Sequence, residues 1–566
     1  MVSDSQAVSD PPNVERGDRN GLLTGPSHVV VRNAYAWLVP GYAVLLVSVV
    51  LGGIERQPYD DSYFFKRFAL NLLDHGLFAW NASDGPVYGN TSQLFQLVVT
   101  ATTAFTRTHT LFAVRLLLAF TLLCAFTLSL RTGLRRGSVV APALGFCSPV
   151  ILFSVLSGME TAVAFALLAL FCDVIDPEQD SEPHWLIGPL LVVAVWLTRP
   201  DAILLAGSIL VGLNWLQRRR FPAREVLVIV CLVAVFLVTF RLYYGTALPL
   251  PFYAKQRAFS PYDAHFIELS DQMLRVRFSV FAWAALPLFL LAMSRVDAVN
   301  LILVAAVGLF ETYHLCTTID VMGMQGRFYA PALPILIFAA SRAEQLAWSA
   351  RRAAWLGGLN LLGVGLLVAV DKLPTGSLDN DENLTRAFYV LGTMAGTAAL
   401  VLPLKRAPRL GAGVMLALAM LATVVSFHPK HHVPPTDSEY VLLHEGRFTV
   451  YRGLETLRAC FGDAIDVYHS EVGVVGMRFE HGKVTDLAGL LSRDWMFRDQ
   501  TFDATCLAER PQGIFLPHRN YVALNQEIQR SRCIRGYVRV IAESSSPLYV
   551  RADLYPRYRA CADAAL

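Results

Sequence analysis

Apolar runs near the ~20 residues needed to cross a bilayer recur from residue 35 to about residue 427. They predict roughly thirteen membrane helices, at about 35–54, 111–130, 138–156, 160–175, 185–198, 202–216, 223–243, 277–294, 297–315, 328–341, 353–371, 386–404 and 410–427. The run at 92–106 is short and reads as a helix lying against the membrane. Residues 1–34 are polar, with Pro, Gly and Ser, and read as a disordered cytoplasmic tail rather than a cleavable signal. From about 428 the pattern changes. A Pro- and His-containing linker leads into short strand-like runs, "RFTVY", "AIDVY", "VGVVGMRF", "GIFLP" and "GYVRVIA", with helical stretches between them. The expected architecture is a polytopic all-α membrane domain (35–427) followed by a small α/β domain (428–566).

Arginine placement orients these spans. With a cytoplasmic N-terminus, the inner loops include "RTGLRRG", "QRRRFPAR", "SRVDA", "SRAEQLAWSARR" and "KRAPR", which satisfies the positive-inside rule. Counting 92–106 as a span would invert that agreement. The odd number of spans then puts the α/β domain outside, together with a first extracytoplasmic loop at 55–110. The expected location is a bacterial inner membrane, crossed many times.

Composition agrees with this class: 54% of the 566 residues are hydrophobic and 16% charged, against about a quarter charged in soluble domains. The formal net charge of +3 is uninformative in a membrane protein. No P-loop, dinucleotide fingerprint or Cys/His zinc array is present, and no basic soluble face suggests nucleic acid. Of nine cysteines, Cys460, Cys506, Cys533 and Cys561 fall in the outer domain. An oxidising location predicts two disulfides among them, in any of three connectivities.

Charged and turn-forming residues interrupt the apolar sequence on the outer side, around Asp60–Asp61, Glu160, Arg199, Lys255 and Arg327. Ionisable residues at a membrane edge are costly and mark function or pairing. Five such interruptions on one face predict one outward site. On a helix beginning near Asp60, the residues Asp60, Arg67, Asn71 and Asp74 form a polar stripe, with Phe64, Phe65, Phe68 and Leu72 opposite. Such a helix is expected in the interfacial plane, its aromatic face in lipid. A carboxylate at its N-terminus is favoured by the helix dipole and can accept a proton from a hydroxyl. The competing reading is an ordinary N-cap, which needs only one Asp.

The stretch resembles the first outer loop of the GT-C superfamily of polyprenyl-phosphate-sugar-dependent membrane glycosyltransferases. The resemblance rests on Asp60-Asp61, Tyr63, Arg67-Phe68-Ala69, Asn71-Leu72, Gly76, Phe78, Asn81 and "YGNTSQLF" (88–95). It continues, in order, through "SGMETA", "LTRPDA", "YYGTALPLPFYAK", "GRFYAPALP" and "EVGVVG…DLAGLL". The chain is distantly similar to the mycobacterial-type terminal arabinofuranosyltransferases. A departure is "VYGNTS", where that branch often carries a Glu before the Gly, so the sugar can differ. The resemblance implies an inverting transfer of a sugar, a pentofuranose such as arabinofuranose or a hexose, from polyprenyl phosphate to a cell-envelope glycan, lipid or protein. It implies Asp60 or Asp61 as general base, with Asp60 favoured by its place in the polar stripe. Cations for the leaving phosphate would come from Arg67, Lys255, Arg327 and Arg199, although Arg199 before Pro200-Asp201 also suits a structural pair. Glu160, Tyr63 and Asn81 would meet the sugar or acceptor. The resemblance fixes no cofactor. A divalent cation on the paired carboxylates and Glu160 stays open, since oxygen donors suit a hard ion. The alternatives are a flippase for a lipid-linked saccharide and a non-catalytic envelope-assembly partner. Charges at one face, with no evident internal repeat, favour the enzyme.

Overall fold

The computed structural model describes residues 27–54, 57–178, 185–256, 264–319, 326–344, 435–497, 501–518, 521–541 and 544–565. Each of the first ten expected spans corresponds to helix. Tyr35–Gly52, Thr110–Leu134, Ala223–Tyr244 and Ala298–Thr317 are long and apolar enough to cross a bilayer. Val140–Phe146 and Val150–Ser157 form a fifth candidate bent by 43°; Pro149 at the break has no amide to continue the helical ladder. Thr161–Val174, Ile187–Thr198, Ala284–Met293 and Ala332–Ala343 are shorter apolar helices. The expected spans 353–371, 386–404 and 410–427 lie outside the described residues. The run at 92–106 is helical, Gln93–Thr106, and packs on helix Asp60–His75.

Among the described residues, the inner-side segments around Arg136, Asp176–Glu178, Arg295–Asp297 and Arg342 meet at one end of the bundle. Arg136 pairs with Asp176 and Glu178, and Arg342 with Asp297 and Glu178. Glu344 accepts from Ser138 Oγ and from the amides of Val139, Val140 and Ala141, neutralising the start of helix Val140–Phe146.

At the other end of helix Thr110–Leu134, Arg115 ties several helix ends together. Its guanidinium donates to Gly53 O and Leu156 O, the closing carbonyls of two neighbouring helices, and to Tyr440 Oη. Tyr440 in turn donates to Ile54 O. Carbonyls at a helix C-terminus need such donors.

The C-terminal domain holds a five-stranded sheet in the order β2-β1-β3-β5-β4. The strands are β1 (Val467–His469), β2 (Val484–Asp486), β3 (Gly513–Phe515), β4 (Tyr537–Ile541) and β5 (Leu548–Arg551). β2-β1-β3 are parallel, and β5 pairs antiparallel with β3 and β4. Three of the five strand-like runs are strands. "RFTVY" instead ends a helix (Asp437–Arg447) and enters a 3-10 turn, and "VGVVGMRF" is helical at Val472–Arg478. The apolar run there is buried all round, so its period cannot separate strand from helix. β2 and β5 fall outside the expected runs.

Helix Asp60–His75 does not lie with its aromatic face in lipid. Tyr63, Phe64, Phe68 and Trp80 join one core with Tyr440, Tyr451, Val472, Val475 and Phe479 of the C-terminal domain, while Phe65 packs with Phe95 in the membrane-helix core. The domain covers one face of the helix and the membrane helices cover the other. Asp437, at the start of the domain's first helix, accepts from the amides of Thr110 and Leu111 (both 3.0 Å) and from Lys66 Nζ (2.5 Å). A carboxylate from the domain thus caps a membrane helix.

Two disulfides, Cys460–Cys561 and Cys506–Cys533, close the domain. The first links helix Leu454–Phe461 to the C-terminal helix Tyr555–Ala565; the second joins helix Phe502–Glu509 to the turn before β4. Peptide mapping of the non-reduced protein is expected to yield these two linked pairs. A mixed pairing, or four alkylatable thiols, would contradict the fold.

Candidate active site

Asp60 and Asp61 open helix Asp60–His75, and their consecutive positions send the side chains in different directions. Asp60 is 8% exposed. Its Oδ2 accepts from Gly473 N (2.9 Å), and its Oδ1 from Val474 N and Tyr451 Oη (both 2.8 Å). It therefore caps helix Val472–Arg478 from another part of the chain. Gly473 makes this contact feasible, since a Cβ there would collide with the Asp60 backbone. Burial pushes the Asp60 carboxyl up to about 6, against the opposing pull of its three donors.

Gly476, one turn on, lies flush against Trp80 and the Arg67 stem. Arg67 is buried, and its donors are committed to protein oxygens: Trp80 O (2.8 Å), Gly476 O, Phe479 O (3.1 Å), Gly482 O (2.9 Å) and Asn81 Oδ1 (3.1 Å). A guanidinium has five N–H groups, so no donor remains for a phosphate. The expectation for Arg67 is corrected: it fastens the first loop to the C-terminal domain. Asn81 is equally engaged, with Arg67, Asp84 and both backbone groups of Val484. Tyr63 is fully buried with its Oη 3.0 Å from His444 Nδ1, and burial lowers that imidazole to about 3, so it is neutral. Neither Asn81 nor Tyr63 presents a group to a sugar.

The other candidates meet around Asp61. Asp61 Oδ2 accepts from Arg327 Nη2 at 3.0 Å, and Oδ1 makes no hydrogen bond among the described residues. Arg327 is 7% exposed, yet Nε and Nη1 find no acceptor among the described residues. Burial works against its charge, but the carboxylates of Asp61 and Glu160 outweigh that and hold it protonated. Arg327 Cζ lies 5.4 Å from the centre of the Phe328 ring, with Lys255 Nζ at 5.5 Å and Arg199 Cζ at 5.7 Å. One aromatic ring thus gathers three cations. Arg199 is locked to Asp201 (2.8 and 3.3 Å) and donates to Arg327 O (2.7 Å), so it positions the Arg327 backbone. His314 braces Asp201 from the far side (2.9 Å).

Glu160 stands at the start of helix Thr161–Val174, 6% exposed, with Oε2 unpartnered among the described residues, as is Thr161 Oγ1. Gly158 brings this turn against the loop. At φ 70° it closes the preceding helix, and a Cβ would sit 3.3 Å from Ser62 Cβ, while Tyr59 N donates to Ser157 O. Asp61, Glu160, Arg199, Lys255 and Arg327 therefore share one site; Asp60 braces it, and Arg67, Tyr63 and Asn81 belong to the joint beneath the C-terminal domain. Among the described residues no three His, Cys, Asp or Glu side chains are arranged to hold a metal ion.

The fold joins apolar helices, several long enough to cross a bilayer, to a C-terminal domain with a five-stranded sheet. Solved structures of ArnT from Cupriavidus metallidurans share it: the form bound to undecaprenyl phosphate at a TM-score of 0.54 and 14% identity, covering 91% of this chain and 98% of ArnT. The apo form aligns at 0.55 and 15%, covering 92% and 99%. No family model and no curated protein matches the sequence.

Two outcomes follow. Arg67→Ala should lower the thermal unfolding midpoint strongly, because it leaves several buried carbonyls without donors; a midpoint equal to wild type would contradict the joint. Asp60 holds its proton more firmly folded (about 6) than in a free side chain (3.8). Its contribution to stability is thus full below the free value and lost as pH rises through about 6. Relative to Asp60→Asn, the wild-type midpoint should fall across that window; a constant difference would refute the assignment.

Proposed function

We propose that this chain is an inverting glycosyltransferase that takes a sugar from a polyprenyl-phosphate donor and places it on a hydroxyl of a cell-envelope acceptor, at the outer face of the bacterial inner membrane. The observation that carries this reading is Arg327. A buried, charged guanidinium with two nitrogens, Nε and Nη1, unpartnered among the described residues costs free energy unless an anion completes it. Lys255 beside it on the Phe328 ring adds a second cation. A phosphate fits this pair, and the likeness to a fold solved with undecaprenyl phosphate supports a lipid-borne one.

In this reading Asp61 is the base. Its Oδ1 is uncommitted among the described residues, and its other oxygen is held by Arg327. The acceptor hydroxyl gives its proton to Asp61 as its oxygen bonds to the anomeric carbon. The bond from that carbon to the phosphate oxygen breaks, and polyprenyl phosphate leaves with the electron pair. Charge growing on the phosphate is met by Arg327 and Lys255, fixed before the reaction and so requiring little reorganisation. Asp60 has every oxygen occupied and acts by holding the C-terminal domain in place. Glu160 and Thr161 offer buried polar atoms to the sugar hydroxyls. A pentofuranose such as arabinofuranose is the favoured sugar, on the likeness of the loop to terminal arabinofuranosyltransferases.

The test uses the full chain purified in detergent, synthetic polyprenyl-phosphoryl sugars including the arabinofuranosyl donor, and undecaprenyl phosphate as a binding probe. Asp61→Asn should reduce transfer by about 10²–10⁴-fold, the usual cost of a lost general base, and still bind undecaprenyl phosphate. Arg327→Ala should lose that binding. An Asp61→Asn protein with wild-type turnover would defeat the assignment of the base, and undecaprenyl phosphate binding untouched by Arg327→Ala would defeat the phosphate site.

A further inference from the structure

Beyond the membrane-domain residues, one carboxylate reaches the site from the C-terminal domain. Glu471 occupies the position just before helix Val472–Arg478, the helix whose first amides hold Asp60. Its backbone is pinned, since its amide donates to His469 Nδ1 at 2.8 Å. His469 is itself buried, stacked on Tyr451, with its Nε2–H donating to Val450 O. The Glu471 side chain is half-buried and makes no hydrogen bond among the described residues. It lies within electrostatic reach of Asp60, Asp61 and Asp486. Burial first, and then those carboxylates, push its carboxyl well above the usual range.

No structural role accounts for this placement. The start of the helix is already capped by Asp60, and a carboxyl placed beside three others is an unfavourable arrangement to keep without use. The same site holds Arg327 and Glu160, each more than nine-tenths buried with unpartnered polar atoms. Arg327 meets Asp61 from the membrane-helix side, with Lys255 near it on the Phe328 ring, where a lipid phosphate would lie. Glu471 approaches from the domain that carries neither cation.

We propose that Glu471 binds the hydroxyls of the acceptor and sets the attacking one against Asp61, so that the C-terminal domain supplies part of the active site. The ligand is a polyol, a sugar residue of a glycan or glycolipid. A carboxyl group can both accept from and, when protonated, donate to adjacent hydroxyls. This inference rests on the glycosyltransferase reading above. Glu471 is a positioning residue for the acceptor, and the proton goes to Asp61.

The experiment uses the full chain in detergent, the synthetic donors named above and an alkyl arabinofuranoside as acceptor. Glu471→Ala and Glu471→Gln are compared with wild type for acceptor KM, kcat and undecaprenyl phosphate affinity. Glu471→Ala should raise the acceptor KM by about tenfold or more, the scale of one lost hydrogen bond to a charged group. Undecaprenyl phosphate affinity should stay unchanged, and Gln should restore part of the acceptor effect. Equal KM in Glu471→Ala and wild type would overturn the inference while leaving the glycosyltransferase reading intact. So would a parallel loss of undecaprenyl phosphate binding and thermal stability, which would make the residue structural. A folded wild-type protein that neither transfers any donor sugar nor binds undecaprenyl phosphate would overturn both.

Discussion

Two carboxylates exchanged across one interface hold this molecule together. Asp60, from the loop that follows the first membrane helix, caps a helix of the C-terminal domain. Asp437, from that domain, caps the membrane helix beginning at Thr110. Each satisfies backbone amides that would otherwise be buried without acceptors, and each meets the positive end of a helix dipole. Lys66 on the loop helix neutralises Asp437, and Arg67 beside it closes five carbonyl and amide oxygens around the joint. The interface is therefore polar at its heart and apolar around it, through Tyr63, Phe64, Phe68 and Trp80. A joint of this kind is specific as well as strong, because a shift of one residue would strand every partner.

That joint explains the division of labour between adjacent aspartates. A step of one residue turns a side chain through roughly a quarter of the helix circumference. Asp60 faces the C-terminal domain and is consumed by it. Asp61 faces the membrane helices and meets Arg327. The structural member of the pair fixes the height and rotation of the helix, and the other inherits a defined position without spending its own oxygens on the task. Phe328 performs a similar service for the cations, holding Arg199, Lys255 and Arg327 around one ring.

Much of this was legible in the chain. Hydropathy located the described apolar helices, the described arginine-bearing segments around Arg136, Arg295 and Arg342 meet at one end of the bundle, and four cysteines foretold two disulfides. Charged interruptions picked out residues that converge, including Asp61, Glu160, Arg199, Lys255 and Arg327. What escaped was long-range. The partners of Asp60, and three of the five partners of Arg67, lie some four hundred residues away in sequence, and periodicity carries no record of them. An amphipathic aromatic helix looks the same whether lipid or a protein domain covers it, so Phe64 and Phe68 were read toward the bilayer. Gly473 and Gly476 did carry a signal. Three residues apart, they clear one face of a helix for close packing, but inside an unbroken apolar run they passed as part of a strand. Disulfide connectivity also needed the fold, since spacing alone cannot choose among pairings.

Arg115 has a wider consequence. By binding the carbonyls that end two helices, from a position on a third, it levels those ends against one another. Isolated helices answer a thinner or thicker bilayer by tilting separately. These cannot, because the shared guanidinium would lose its acceptors. A change in lipid thickness must instead move the cluster as one body, together with Tyr440 and the domain that carries it. The depth at which the site meets the lipid headgroups is then a property of the membrane around the protein, as well as of the protein itself.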